Sequence, residues 1–115
     1  MKEEKFKVIN FIRELIIVID GELENFPKKD IEIKNRLRNN TYDLLEVAYY
    51  ANNVSDIEER KRSLETAIAK IKVIDFLINL CYDKQIINSK KYYKIAQKND
   101  DIVKYLIGWI KSLNK

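Results

Sequence analysis

Lys90, Lys91 and Lys94 bracket two adjacent tyrosines, Tyr92 and Tyr93. Ammonium groups beside aromatic rings suit a nucleic acid, with lysines on phosphates and rings under bases. An ordinary solvated lysine face, with the tyrosines packed at the core edge, is the competing reading. Two other clusters carry the same charge: Lys34, Arg36 and Arg38 in "KNRLR", and Arg60, Lys61 and Arg62 in "RKR". Acidic residues also fall one turn apart, Asp43 with Glu46 and Asp56 with Glu59. A di-metal carboxylate bundle needs histidines on the same inward faces, and the chain has no histidine. That composition excludes Ser/His/Asp and Cys/His catalysis and the common imidazole metal ligand. The carboxylates read as surface charges or ion-pair partners. No catalytic residue, metal site or cofactor is expected.

Net charge is +4, and it is uneven. Residues 1–25 sum to −2, 26–55 to +1, 56–85 to zero and 86–115 to +5. The basic end of the chain runs through Lys90, Lys91, Lys94, Lys98, Lys104, Lys111 and Lys115. A single cysteine, Cys81, has no internal disulfide partner, which fits a reducing compartment. The apolar run Leu15 to Ile19 is five residues, against about 20 for a membrane span. The start lacks a signal-peptide layout, so the expected location is the cytoplasm.

The elements that must carry these residues follow from punctuation. With one proline and two glycines in 115 residues, the chain reads as one domain of few, long helices. Three breaks stand out: "NFPKKD" at residues 25–30, "ANNVSDIEE" at 51–59 and "DKQIINSKK" at 83–91. Ser55 with Glu58 has capping-box spacing, and Asn88 or Ser89 can cap the last segment. Between the breaks, apolar residues recur every three or four positions. The rows are Val8, Ile12, Leu15, Ile19, Leu23; then Leu37, Thr41, Leu44, Ala48, Ala51. The third is Ile57, Leu64, Ile68, Ile71, Ile74, Ile78, Cys81; the fourth is Tyr92, Ile95, Ala96, Ile102, Leu106, Trp109, Ile110, Leu113. Short connections make neighbours antiparallel, so the expected fold is an all-α, up-down-up-down four-helix bundle, a rod ~35 Å long.

Helix 1 carries a second apolar row, Ile9, Ile16 and Leu23, and helix 4 has a wide apolar side around Trp109. Deep burial in the monomer explains such width, and so does an oligomer interface. Gly108, mid-helix beside Trp109, costs roughly 1 kcal/mol relative to alanine. A close approach by another backbone explains it, and so does a tolerated helix-end position. Ile9, Ile16, Gly108 and Trp109 are the expected interface residues.

The fragments "NFPKKD", "RLRNNTYDLLEVAYYANN", "LETAIAKIKVIDFLINLCYDKQIINSKKY" and "LIGWIKS" occur together in this order. The arrangement resembles the accessory variability determinant (Avd) proteins of diversity-generating retroelements. These lie near the small four-helix bundles encoded in ribosomal-RNA intervening sequences. The likeness runs from about Phe11 to Ser112. It is carried by Phe26-Pro27-Lys28, Arg36 with Arg38, Asp43-Leu44-Leu45-Glu46, Ala51-Asn52 and Gly108-Trp109-Ile110-Lys111-Ser112. The stretch after Phe26-Pro27-Lys28 is shorter than is typical of that family. The resemblance implies a non-catalytic homopentamer with a basic surface, acting with a reverse transcriptase and its template RNA. Nucleic acid, RNA or DNA, would meet Lys28, Lys34, Arg36, Arg38, Lys90, Lys91, Lys94 and Lys111. Two alternatives remain at this stage: a stand-alone intervening-sequence-type bundle oligomer, and a protein–protein interaction module that binds no nucleic acid.

Overall fold

A computed structural model describes residues 2–114, with side chains from Lys7 onward. Four helices follow the expected segments: α1 Lys2–Leu23, α2 Ile31–Asn53, α3 Ile57–Asp83 and α4 Ser89–Ser112. A single 3-10 turn, Lys28–Asp30, leads into α2. Among the described residues there is no strand. Helix α1 packs on α2 and α4, and α3 packs on the same two. Neither α1 and α3 nor α2 and α4 touch, so the four stand at the corners of a square in chain order. The rod measures 46 × 23 × 18 Å. No described helix is long and apolar enough to cross a membrane.

The apolar rows explain the packing. All five residues of the α1 row and all five of the α2 row are buried. Thr41, the one polar member, donates its hydroxyl to the Arg38 carbonyl at 2.9 Å, so its burial leaves no unmet donor. In α3 the row holds from Leu64 to Cys81, but Ile57 is exposed and Ile68 only half-buried. Ile57 is the first residue of α3, which at 27 residues outruns α2 and α4 at 23 and 24. Ser63 fills a core position instead and donates to the Val47 carbonyl at 3.0 Å, tying α3 to α2. In α4 the buried set is Ile95, Asn99, Ile102, Leu106 and Trp109. Asn99 lies on the same helical row as its apolar neighbours and donates to Asp75 Oδ1 at 3.0 Å.

Two caps fix helix starts, and one differs from expectation. Asn88 accepts from the Lys91 amide at 2.8 Å, as its position before α4 implies. For α3 the cap is Asp56, not Ser55: the Asp56 carboxylate accepts from the Glu59 amide at 2.9 Å. Both residue types cap well, and one position decides which amide each reaches. Arg60 favours the later start. From the first turn of α3 its guanidinium donates to the Ala51 carbonyl at 2.8 Å and also to the Val54 carbonyl, closing the end of α2.

The expected interface residues are placed differently from one another. Trp109 is fully buried and Ile9 is 8% exposed, so both belong to the chain's own core. The apolar side around Trp109 is used only in part within the bundle, since Ile107 is exposed and Ile110 half-buried. Ile16 is half-buried between α1 and α2. Gly108 falls outside the buried row of α4, on the side turned away from the core.

Candidate nucleic-acid interface

Antiparallel order brings the α1–α2 and α3–α4 connections to one end of the rod. An ion pair joins them: Lys84 Nζ sits 3.2 Å from Oδ1 of Asp30, a carboxylate that is only 8% exposed. A second pair, Lys91 with Glu22 at 3.2 Å, ties the start of α4 to the end of α1. The first turns of α2 and α4 therefore share this end. It gathers nine basic residues: Lys28, Lys29, Lys34, Arg36, Arg38, Lys84, Lys90, Lys91 and Lys94. Six acidic residues lie with them: Asp20, Glu22, Glu24, Asp30, Glu32 and Asp83.

The α3–α4 connection has an unusual bend. The amide of Ile86 donates to the Cys81 carbonyl at 2.8 Å, and that of Gln85 to Tyr82 at 2.9 Å. These are the two bonds of a Schellman motif, whose left-handed residue is ordinarily glycine. Here it is Gln85, at φ 63°. The bend starts a shallow cleft of about 500 Å³ lined by Tyr82, Gln85, Ile86, Ile87, Asn88, Ser89 and Lys91. Tyr82 and Tyr92 stack at 4.6 Å, and Tyr93 meets Tyr92 edge-on at 5.4 Å. Tyr92 is thus spent within the protein, whereas Tyr93 is 66% exposed. Behind the bend Cys81 is buried, which together with the nearby Asp30 carboxylate pushes its thiol up to about 11. A thiol held protonated is a poor nucleophile.

Most of the expected basic residues meet at this end. Lys28, Arg36, Lys90 and Lys94 are exposed there, and Lys34 and Arg38 are half-buried. Lys91 is exposed but paired with Glu22. Helices α2 and α4 are diagonal neighbours, roughly 13 Å apart for helices packed at 8–10 Å. Arg36 and Lys94 therefore share the end without touching. The Asn40 amide bonds the Arg36 carbonyl at 2.8 Å and leaves its guanidinium alone. Lys111 does not join the group: it is twenty residues along α4 from Lys91, ~30 Å away at the far end. Lys115 lies outside the described residues. The "RKR" cluster is also at the far end, where Arg60 closes α2 and Lys61 sits 3.7 Å from Glu58.

Sequence reasoning missed Lys29, Lys84 and Tyr82. The signal for Lys84 was available, because antiparallel order alone puts the third break beside the first. Three of the four acidic candidates have structural partners: Asp43 pairs with Lys70 at 3.8 Å, Asp56 caps α3, and Glu59 accepts from the Tyr50 hydroxyl, while Glu46 is exposed. That last bond raises the Tyr50 pKa, since losing the proton would set two anions face to face. The arrangement at the basic end can hold phosphates on several ammonium and guanidinium groups and offer one exposed ring for stacking. No family model, no curated protein and no solved structure matches the chain, so this interface is read from its own residues.

Proposed function

We propose that the chain is a non-enzymatic accessory protein that binds nucleic acid through the basic end of its bundle. In the role implied by the Avd resemblance it acts as a homo-oligomer, with a reverse transcriptase and template RNA as partners. One observation carries the reading: two connections and two helix starts, distant in sequence, bring nine basic residues against six acidic ones to one end of the bundle, together with an exposed tyrosine. Contacts of this kind read phosphates and not bases, so binding is insensitive to sequence and steeply salt-dependent.

Filter binding with structured RNA and duplex DNA tests it. Affinity should fall with salt at a slope of ~0.7–0.9 per neutralised phosphate. Lys90→Glu, Lys94→Glu and Arg36→Glu should each weaken binding for every sequence tried. Lys111→Glu, at the far end, should leave it nearly unchanged. Wild-type protein that retains neither RNA nor DNA in ~50 mM salt overturns the reading. A protein-only interaction module is the second reading, favoured by the exposed Ile17 and Phe76 at 72% and 63%.

A further inference from the structure

The four sides of the square differ. On the α1–α4 side, ion pairs cross between helices, Lys98 with Glu14 and Lys91 with Glu22. On the α2–α3 side, Lys70 pairs with Asp43 and Tyr50 bonds Glu59. No ion pair among the described residues crosses the other two sides. The α1–α2 side carries Ile17 and Tyr42, both exposed, and the helices of the α3–α4 side carry the exposed Phe76 and Ile107. Each of the two has a groove. One, of about 220 Å³, is lined by Arg13, Ile16, Ile17, Tyr42 and Leu45. The other, of about 330 Å³, is lined by Ile71, Lys72, Asp75, Asn99, Asp100, Val103 and Lys104. Because α1 and α3 do not touch, and neither do α2 and α4, the two grooves lie on opposite sides of the molecule.

We propose that the α1–α2 side of one copy docks on the α3–α4 side of a second copy, with Arg13 entering the cleft at Asp75 and Asp100. This rests on the oligomeric part of the function proposed above. Charge supports the pairing. Arg13 is exposed and makes no ion pair among the described residues, while the cleft holds two carboxylates at Arg13's own level. The level follows from two contacts: Glu14, next to Arg13, pairs with Lys98, and the adjacent Asn99 bonds Asp75. Lys72, before Asp75 in α3, and Lys104, after Asp100 in α4, both stand about one turn nearer the far end of the rod. The cleft also contains a buried acceptor without a partner, Asn99 Oδ1. A guanidinium brings five donors and no acceptor, which is what this group of oxygens lacks. Phe76, beside Asp75, then faces the groove of Ile17 and Tyr42, and apolar surface is buried on both copies. A sideways step with no slide along the rod brings Arg13 to the acids. Such a head-to-tail contact closes into a ring only as far as the two sides are inclined to one another, and that inclination sets the copy number.

Light scattering on the wild type and on two surface variants, Ile17→Glu and Phe76→Glu, tests the proposal. The wild type should run at a multiple of the 13.7 kDa chain mass. Each variant loses one side and should run as a single chain, with an unchanged helical circular dichroism signal. Mixed at equal amounts, the variants should form a two-copy species, because the intact α1–α2 side of Phe76→Glu meets the intact α3–α4 side of Ile17→Glu. A wild type that is a single chain at micromolar concentration overturns both this inference and the oligomeric reading beneath it. A wild-type oligomer whose size neither variant changes overturns the assigned sides and leaves that reading standing. Single-chain variants that do not recombine on mixing overturn the head-to-tail pairing.

Discussion

Replacing Arg60 by alanine removes both guanidinium bonds at the end of α2, to the carbonyls of Ala51 and Val54. The last carbonyls of a helix have no partner inside it, so these two would turn to water or go unmet. Hydrogen bonds to a charged group contribute about 1.5–3 kcal/mol each. Arg60 is half-buried, and both bonds come from one side chain. The two losses therefore overlap, and the expected destabilisation is ~2–4 kcal/mol. At ~3–5 °C per kcal/mol for a chain of this length, the melting temperature should drop by ~6–20 °C. Arg62→Ala is the comparison, since Arg62 is exposed two positions away and should change stability by no more than ~0.5 kcal/mol. Arg60→Lys should recover only part of the loss, because an ammonium cannot reproduce the fork. Urea melts of the three variants at neutral pH give the measurement. If Arg60→Ala and Arg62→Ala melt alike, the closure of α2 by Arg60 contributes nothing, and the account of why α3 starts at Ile57 fails with it.

Asp56→Ala should cost ~1 kcal/mol and Ser55→Ala less than ~0.5; the opposite order in urea melts would return the α3 cap to Ser55. Gln85→Gly should stabilise the chain by ~0.5–1 kcal/mol, because glycine adopts the left-handed bend without the side-chain penalty; a lower melting temperature refutes that. Cys81 should resist iodoacetamide at pH 8 until the protein is unfolded, as its thiol titrates near 11 against an ordinary 9.0. The same raised value makes stability fall as pH climbs from about 9 toward 11, because the unfolded thiol ionises first. Native labelling at pH 8, or equal alkaline loss in a Cys81→Ala variant, counts against it.

The rows of α1 and α2 were fully legible because each faces one core and only Thr41, which bonds its own helix, interrupts their apolar run. In α4 the row ran through Asn99, and a search for apolar residues steps over a polar one. Only the pairing with Asp75 on another helix shows why it is buried there. The α3 cap was misplaced by one residue because Ser55 and Asp56 are both good caps, and the choice is coupled to Arg60 reaching back nine residues. Trp109 was grouped with the interface residues because a wide apolar side looks the same whether it faces a partner or the chain's own core. The basic end was visible in part. Lys90, Lys91 and Lys94 are adjacent in sequence, but their meeting with Lys28, Arg36 and Lys84 depends on chain direction. Lys111 shares a helix with them and was grouped with them, although 24 residues of helix hold the two ends apart.

Helix α4 opens on Ser89, Lys90 and Lys91, with no acidic residue in its first turn. The peptide dipoles of a helix sum to a partial positive charge at that end. The lysines are therefore set against the field of their own helix, and Glu22 answers only one of them. In the free protein the start of α4 is held below the stability its Asn88 cap would otherwise give. An anion lodged there is attracted by the lysines and the dipole together and relieves the repulsion between them. Polyphosphate should therefore raise the melting temperature, and more so for the wild type than for Lys90→Glu, whose added carboxylate already relieves the strain. Equal rises in the two would show that the strain is not located there. When empty, the start of α4 therefore carries a repulsion that a bound anion would relieve.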